Sequence, residues 1–415
     1  MSNWHPVSDF VAFTTKGITP KYVNNSSVVV LNQKCIRDNK INYSFAQFTN
    51  DSQSLPKNKF VQNGDILVNS TGTGTAGRCA FVSKLPEDRR LIVDSHILIL
   101  RCRSYPEAQC LSYILFSFEQ KLMEFMTGSS GQSELDKIVL LNLKTNLTRD
   151  LDSQRKIANI LSRIDSKIEL NNEINAELEQ MAKTLYDYWF VQFDFPDING
   201  KPYKSSGGKM IWSETLKRKI PELWEVKKIS SKIKIGSGYP FKTEDYDDKG
   251  KYRIITIKSV QKGNLDTSKA DKINFIPDNI SGFCKLEKGD VLISLTGNVG
   301  RLCFVDQDDL LLNQRVGKLL ADSNFANYGY LYFNRQENQK RLEKIANGSS
   351  QSNLSPVEAV KDSFPIPEKN ILERFSDISN PLFQAIIKTK EENQKFVELR
   401  DWLLPMLMNG QVVVN

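Results

Sequence analysis

The sequence predicts an α+β (mixed α/β) protein made of two copies of one unit, each copy a globular domain followed by a long helix. The segment Gly64-Asp-Ile-Leu-Val-Asn-Ser-Thr-Gly72 recurs as Gly289-Asp-Val-Leu-Ile-Ser-Leu-Thr-Gly297, at an offset of 225 residues. An apolar stripe with steps of three and four residues, from Ile157 to Leu185, recurs 218 residues later. Self-similarity at a nearly constant offset indicates a tandem duplication.

The composition is that of an ordinary globular protein. The 415 residues are 40% hydrophobic and 25% charged, which suits two or three domains with packed cores. No apolar run approaches the roughly 18 residues that span a membrane, and the first residues lack the pattern of a signal peptide. The six cysteines form no Cys-x-x-Cys pair, and only two histidines are present. We therefore expect a reducing, cytoplasmic location, no metal site and structural roles for both histidines.

Positive charge is concentrated outside the predicted long helices. The chain has a net charge of +7, whereas residues 149–190 carry −2 and residues 366–415 carry −1, which leaves +10 for the remainder. An anionic partner would therefore meet the globular domains.

In chain order, the pattern predicts five segments. A first globular domain occupies residues 1–148, a long helix residues 149–193, and a linker rich in Pro, Gly, Ser and Asn residues 194–220. A second globular domain occupies residues 221–367 and a second long helix residues 368–415. Strand patterns prevail in the domains; they cover residues 28–31, 65–68, 97–100, 254–257 and 291–295, with a helical pattern at 111–126.

The two long helices share their apolar stripe almost position by position. Each is expected to run for about 35 to 40 residues, or about 55 Å, which is too long for one small domain to bury. We therefore expect them to pack on each other as an antiparallel coiled coil, with a globular domain at either end. Asn175 and Asn393 interrupt the two stripes at the same place. Ser379 breaks only the second stripe, and Ile378 is expected to replace it.

Three segments together resemble the specificity subunits of type I restriction–modification systems. The repeated Gly-Asp segments are similar to the strand-and-loop signature of that family's target recognition domains. Residues 154–171, Gln-Arg-Lys-Ile-Ala-Asn-Ile-Leu-Ser-Arg-Ile-Asp-Ser-Lys-Ile-Glu-Leu-Asn, resemble its central helix. Residues 399–411, Leu-Arg-Asp-Trp-Leu-Leu-Pro-Met-Leu-Met-Asn-Gly-Gln, resemble its C-terminus. In this order the three are specific, and the resemblance covers nearly the whole chain.

The resemblance implies a DNA-recognition subunit without catalytic activity of its own. Each target recognition domain would read one half of a bipartite site in double-stranded DNA. The helix pair would space the halves and dock two modification subunits, which carry the adenine methyltransferase activity. Restriction subunits, which carry the ATP-dependent endonuclease and translocase activity, would join the assembly. S-adenosylmethionine, ATP and Mg²⁺ would be bound by these partners, so we expect no cofactor on this chain.

The duplicated glycine loops are the first candidates for DNA contact. Hydroxyl, amide and arginine side chains on a loop that can approach closely are usual phosphate ligands. Those of the two loops are Ser70, Thr71, Thr73, Thr75, Arg78, Thr296, Asn298 and Arg301. The alternative is that the glycines serve turn geometry alone. Since the loop recurs in both copies, it suits shared architecture or backbone contact better than base reading.

Base reading is expected at polar positions that differ between the copies, because Asn and Gln can pair with adenine and Arg or Lys with guanine. The candidates are Asn32, Gln33, Lys34 and Lys258 in one pair of segments, and Gln132-Ser-Glu134 with Gln351-Ser-Asn353 in another. Ser129, Ser130, Ser349 and Ser350, which the two copies share, are further candidates for DNA contact. For any single one of them, a solvated loop is at least as good an interpretation. Asp94-Ser-His96 and Asn313-Gln-Arg315 also match each other and could face either DNA or the core.

Two other functions stay open on the sequence. Gly72, Gly74 and Gly77 fit the G-x-G-x-x-G pattern of a dinucleotide-binding enzyme. A strand pattern follows, however, where that fold has a helix, and the second copy loses the spacing. A structural scaffold that only spaces partner proteins would also produce the repeats. Enrichment of a motif from random duplexes would separate a DNA-reading protein from such a scaffold.

Overall fold

The computed structural model describes residues 4–50, 55–72, 74–125, 134–346 and 352–408. The chain divides into two compact units. Unit 1 comprises residues 1–166 and 396–415, and unit 2 comprises residues 167–395. The two long helices span Leu151–Tyr186 and Lys369–Met408, so each contributes residues to both units.

Unit 1 contains two four-stranded sheets. The first is antiparallel, and its order is Val11–Lys16, Ile97–Cys102, Asp65–Asn69, Cys79–Phe81. The order of the second is Arg90–Val93, Val28–Leu31, Gln47–Thr49, Tyr22–Val23, and its first two strands are parallel. Apolar residues of both sheets share one buried cluster, so the sheets pack face to face.

Unit 2 repeats this arrangement, which confirms the duplication. Its antiparallel sheet has the order Ile233–Ser237, Val316–Ala321, Val291–Ser294, Leu302–Phe304. Its second sheet has the order Lys272–Ile273, Tyr252–Ile255, Leu310–Leu312, Lys285–Leu286. This sheet also contains one parallel pair, but here the pair is the middle two strands, whereas in unit 1 it lies at the edge.

Shorter elements complete the two units. Two-stranded pairs join His5–Pro6 to Lys144–Thr145, Ile36–Arg37 to Lys40–Ile41, Met210–Ser213 to Arg218–Pro221, and Glu225–Lys228 to Ser363–Ile366. The shorter helices are Tyr105–Ser117, Glu119–Glu124, Lys137–Asn142, Ser323–Asn334, Gln336–Ile345 and Pro356–Ala359. The segment 194–220 contains most of the third pair, and its residues Phe195 and Ile220 lie in the core of unit 2.

The central strands are buried on both faces, which is why their sequences are continuously apolar. In unit 1, Ile66 and Val68 point into the cluster that contains the helices, while Leu67 points into the cluster between the sheets. In unit 2, Ile293 and Leu292 divide in the same way. Full burial of each such side chain contributes about 1.5–3 kcal/mol.

The repeated Gly-Asp pair has a structural role. Gly64 has a φ of 89°, a left-handed conformation that glycine adopts without strain. The carboxylate of the fully buried Asp65 accepts hydrogen bonds from Arg101 Nε at 2.7 Å and from the same guanidinium at 2.8 Å. In unit 2, Lys318 Nζ lies 2.6 Å from Asp290. A buried carboxylate needs such a partner, so these pairs anchor the start of the central strand in each unit.

In unit 1, the start of the first long helix packs against the end of the second. Leu161 and Leu407 belong to one buried cluster. Arg400 donates to the Asp165 carboxylate at 3.0 Å, and the Tyr113 hydroxyl donates to the same group at 2.6 Å. Burial, with this carboxylate beside it, raises the pKa of Tyr113 well above its usual value, so the phenol stays a donor.

In unit 2, the central parts of the two long helices run antiparallel, as predicted. Asn171 Nδ2 donates to Asn393 Oδ1 at 2.9 Å, and the Thr389 hydroxyl donates to Asn175 Oδ1. Under the 218-residue offset, Asn171 corresponds to Thr389 and Asn175 to Asn393. The two contacts are therefore images of each other, as a two-fold relation between the repeats requires.

The composition of the apolar stripe differs from the prediction at three places. Met181 is 56% exposed, and its neighbour Ala182 is buried instead. Leu399, which corresponds to Met181 in the second stripe, is 42% exposed. Ile378 is 47% exposed, whereas Ser379 is fully buried and its hydroxyl accepts a hydrogen bond from Asn327 at 3.3 Å. The expectation that Ile378 replaces Ser379 is therefore wrong. Small side chains let the helix approach its neighbours closely, which the apolar pattern alone does not reveal.

All six cysteines are free, and burial controls their chemistry. Burial raises the pKa of the Cys35 thiol to about 11 and that of Cys110 to about 12. Such thiols carry little thiolate near neutral pH and are poor nucleophiles. Within the described ranges, we find neither a helix that could cross a membrane nor a group of three metal-ligating side chains.

Candidate nucleic-acid interface

The glycine loop of each unit is closed by equivalent backbone hydrogen bonds. In unit 1, Asn69 accepts from the N–H of residue 77 at 2.8 Å and donates to the carbonyl of residue 78 at 2.9 Å. In unit 2, Ser294 makes the same two bonds with residues 300 and 301, both at 2.9 Å. The two loops are thus closed by the same pair of backbone hydrogen bonds, although the first loop is two residues longer.

The last glycine of each loop is required by packing. A Cβ on Gly77, whose φ is 84°, would lie 3.0 Å from Leu122 Cβ. A Cβ on Gly300, whose φ is 80°, would lie 3.2 Å from Leu342 Cδ1. The strand Cys79–Phe81 follows the first loop, where a dinucleotide-binding fold would begin a helix.

In unit 1, the predicted loop residues meet in a polar cluster. Gln33 Nε2 donates to the Thr71 carbonyl at 2.6 Å and also to the Thr71 hydroxyl. The Thr71 hydroxyl lies 2.7 Å from His96 Nδ1, and the Thr75 hydroxyl donates to the Thr71 carbonyl at 3.3 Å. Asn69 Nδ2 donates to the Gln33 carbonyl at 3.1 Å. The structure thus brings together two segments that the sequence singled out separately.

The turn before the strand Ile97–Cys102 carries His96 on this cluster. Asp94 is buried, and its Oδ1 accepts from the His96 N–H at 2.9 Å. Burial raises the pKa of Asp94, although the hydrogen bond from this N–H opposes the shift. The N–H and hydroxyl of Ser70 both donate to the His96 carbonyl, at 2.8 and 3.0 Å. The backbone of His96 is therefore fixed, while the residue is exposed.

The matching turn of unit 2 carries Arg315. Its N–H donates to Asn313 Oδ1 at 3.2 Å, and its carbonyl accepts from the Leu295 N–H at 3.0 Å. Ile257 stands where unit 1 has Gln33. The buried Thr296 hydroxyl has no hydrogen-bond partner among the described residues. The backbone hydrogen bonds of the site are therefore the same in both units, whereas the side chains differ.

The two loop arginines have partners within their own units. Arg78 Nε lies 3.8 Å from the Glu119 carboxylate. Arg301 donates to Gln261 Oε1 at 2.7 Å. These contacts compete with any phosphate contact that the arginines make.

The segments that follow residues 126–133 and 347–351 also reach the glycine loops. Glu134 forms a β-bridge with Thr71, and Asn353 forms one with Thr296. Lys16 lies 2.6 Å from the Glu134 carboxylate. Glu134 ends one of the segments proposed for base reading. Lys16 was not predicted, because its contact with Glu134 joins residues 118 positions apart and no local pattern marks it.

The remaining predicted residues divide into three groups. Asn32 serves its own turn, because its side chain accepts from the Lys34 N–H at 2.9 Å and donates to the Phe45 carbonyl at 2.8 Å. Exposed positions are Lys34, Lys258, Asn298 and Asn353. Outside the described residues lie Thr73, Ser129, Ser130, Gln132, Ser349, Ser350 and Gln351.

Comparison with known proteins identifies relatives over the whole chain. A family model described as type I restriction modification DNA specificity domain matches residues 18–180 and 221–395. The chain is 24% identical over 473 aligned residues to the type I restriction enzyme HindI specificity subunit of Haemophilus influenzae, covering 99% of this chain and 100% of that protein. It is 25% identical over 321 residues to the MjaIX specificity subunit of Methanocaldococcus jannaschii, covering 73% and 69%.

A solved structure has a similar fold. The crystal structure of the type I restriction–modification S subunit from M. genitalium superposes with a TM-score of 0.54 at 15% sequence identity. The match covers 97% of this chain and 95% of that one. At this identity the likeness concerns the fold alone.

Proposed function

Since this chain belongs to the type I restriction–modification DNA specificity family, we propose that each of its repeats reads one half of a bipartite sequence in double-stranded DNA. One observation carries this proposal. The two units hold the same turn against the same glycine loop, but they present His96 in one and Arg315 in the other. The same backbone arrangement with different exposed side chains suits two domains that recognise different base sequences.

The helix pair is proposed to space the halves and to dock two modification (methyltransferase) subunits. The equivalent contacts Asn171–Asn393 and Thr389–Asn175 support this, because a two-fold relation offers two equivalent surfaces to two copies of one partner. Restriction subunits are proposed to join the assembly in the cytoplasm. S-adenosylmethionine, ATP and Mg²⁺ are then held by these partners, and this chain supplies recognition without a catalytic group.

Methylation mapping tests the proposal. The chain and its modification subunits are expressed together in a host without adenine methylation, and methylated adenines are mapped across the genome. We expect one bipartite motif with two unequal halves and a constant gap. The modification subunits without this chain are the control and should leave the genome unmethylated. Methylation that does not depend on the chain would favour a scaffold or an unrelated role.

For the isolated chain, we expect weak binding to duplex DNA that decreases with salt. The charge of +10 outside the long helices is spread over two domains, so each neutralises only a few phosphates. If about three phosphates are neutralised in all, raising the salt from 50 to 200 mM should lower the affinity about 40-fold. Fluorescence anisotropy with a labelled duplex measures this. Nanomolar binding that does not change with salt would contradict the expectation.

A further inference from the structure

We propose that the turn occupied by His96 in unit 1 and Arg315 in unit 2 is a base-reading position common to both repeats, and that Arg315 reads a guanine. The inference rests on the proposed function and deepens it, because it assigns specificity in each half-site to a named residue. Position 96 and position 315 are equivalent by their hydrogen bonds as well as by sequence.

The first set of bonds ties this turn to the glycine loop. The first residue after the central strand, Ser70 in unit 1 and Leu295 in unit 2, donates its N–H to the carbonyl of His96 or Arg315, at 2.8 and 3.0 Å respectively. The turn is therefore attached by its backbone to the glycine loop in both units.

The second set of bonds ties the turn to the second sheet and caps it. The N–H of Asp94 donates to Leu31 at 2.9 Å, and that of Asn313 donates to Ile255 at 3.1 Å. The side-chain oxygens of the same two residues accept from the N–H groups of positions 96 and 315. With the backbone held from both sides, the side chain at this position can change without rebuilding the turn. A specificity-determining position requires this property.

Arg315 has the chemistry to read guanine. It is exposed, and its guanidinium makes no hydrogen bond or ion pair within the part of the chain that the structure describes. Arg301, in the same loop frame, is already bonded to Gln261. An arginine with free donors can bind guanine O6 and N7 together, the commonest specific contact in the major groove.

His96 offers a different pattern of donors. Gln33 Nε2 donates to the Thr71 hydroxyl, whose own proton is then directed to His96 Nδ1. On this assignment the imidazole presents a single donor, its Nε2–H. One donor distinguishes bases less well than two, so unit 1 is expected to tolerate more than one base at the corresponding place.

The test uses the complete methylating complex and maps its sites. Arg315→Ala should relax one guanine position in one half of the motif, with about a 10- to 100-fold loss of preference, and leave the other half unchanged. Arg315→Gln should shift the preference at that position towards adenine, because Gln pairs with adenine N6 and N7. Lys227→Ala, on the strand Glu225–Lys228, removes one charge from a half-exposed side chain and serves as the control.

The reciprocal variant tests the other unit. His96→Arg should change one position in the other half of the motif and nothing in the half that Arg315 reads. An unchanged motif in both variants, or a uniform loss of methylation at all sites, would overturn the assignment and make the position structural or a phosphate contact. Absence of any motif with the unmodified chain would instead defeat the proposed function itself.

Discussion

Seven residues added to each long helix are expected to widen the gap between the two half-sites by about three base pairs while leaving their bases unchanged. The insertions lie between Ser166 and Lys167 and between Lys395 and Phe396, where the chain passes from one unit to the other. Seven residues lengthen a helix by about 10 Å, and DNA rises about 3.4 Å per base pair. A heptad also preserves the apolar repeat, so that packing is retained.

The contacts within each unit survive this change. In unit 1, Asp165 and Arg400 both lie on the same side of the insertions. In unit 2, Asn171 and Asn393 likewise stay together. Three base pairs turn the DNA by about 100° at about 10.5 base pairs per turn. We therefore expect slower methylation of the new site than of the natural one.

A matched control inserts seven residues in the first helix only. This shifts the first long helix along the second and separates contacts such as Arg400 with Asp165, so methylation should be lost. The measurement is methylation mapping, with circular dichroism to show that the doubly lengthened chain is helical. If that chain folds and still methylates sites with the natural gap, the helices do not set the spacing.

Burial patterns explain what the sequence predicted well. The strand Val28–Leu31 was predicted with its observed bounds, and the strand Asp65–Asn69 was predicted one residue short. Both are fully buried. Val28–Leu31 is apolar throughout, and Asp65–Asn69 has the apolar residues Ile66, Leu67 and Val68 between its two polar ends. The long helices were predicted for a similar reason, because buried residues recur at helical spacing in parts of each, such as Ile157 and Leu161 in the first and Phe383 and Ile386 in the second. Because the sequence repeats, the same kinds of element were predicted in both copies.

Contacts between distant residues explain what the sequence did not predict. Asp65 pairs with Arg101 because of the register between two strands, and no local pattern encodes that register. The same applies to Arg78, which the loop motif offered as a phosphate ligand and which contacts Glu119 in the structure. Gln33 and Thr71 were both candidates, but their hydrogen bond depends on the packing of two sheets.

The segment 1–208 alone is expected to form a two-fold dimer that, with modification subunits, methylates a palindromic site. It contains the first repeat with its long helix, Leu151–Tyr186. In the whole chain, Leu407 covers Leu161 and its neighbours, so the fragment exposes an apolar stripe that a second copy can cover. The expected site has two inverted copies of the half that the first repeat reads.

The two-fold contacts in unit 2 show how the fragment would pair. Asn171 corresponds to Thr389 and Asn175 to Asn393, so Asn171 of each copy would meet Asn175 of the other. This is the contact that Asn171 already makes with Asn393. The hydrogen bond from Asn171 to Glu392 at 2.7 Å would be lost, since Ile174 stands at the position that matches Glu392. We therefore expect a weaker pairing than in the whole chain.

One substitution is expected to strengthen this dimer. Position 182 corresponds to Arg400, which donates to Asp165 at 3.0 Å, but the first repeat has Ala182 there. In the fragment, Ala182→Arg would place a guanidinium opposite Asp165 of the other copy and restore the missing partner. A partly buried charge-assisted hydrogen bond contributes about 1.5–3 kcal/mol, and a two-fold dimer contains this contact twice, so we expect the dissociation constant to fall at least about 150-fold.

Sedimentation at several concentrations measures the dimer dissociation constant of the 1–208 segment with and without Ala182→Arg. Ala182→Lys provides a control of equal charge without the planar guanidinium. Mapping with modification subunits then identifies the methylated site. A stable monomer, or a dimer that methylates the unequal site of the whole chain, would show that the repeats are not interchangeable. If the site is palindromic but Ala182→Arg does not change the dissociation constant, the repeats are interchangeable but the residue opposite Asp165 in the fragment is not position 182. In the register inferred here, position 182 lies opposite Asp165 for the same reason that Asn171 lies opposite Asn175, so both contacts must form together.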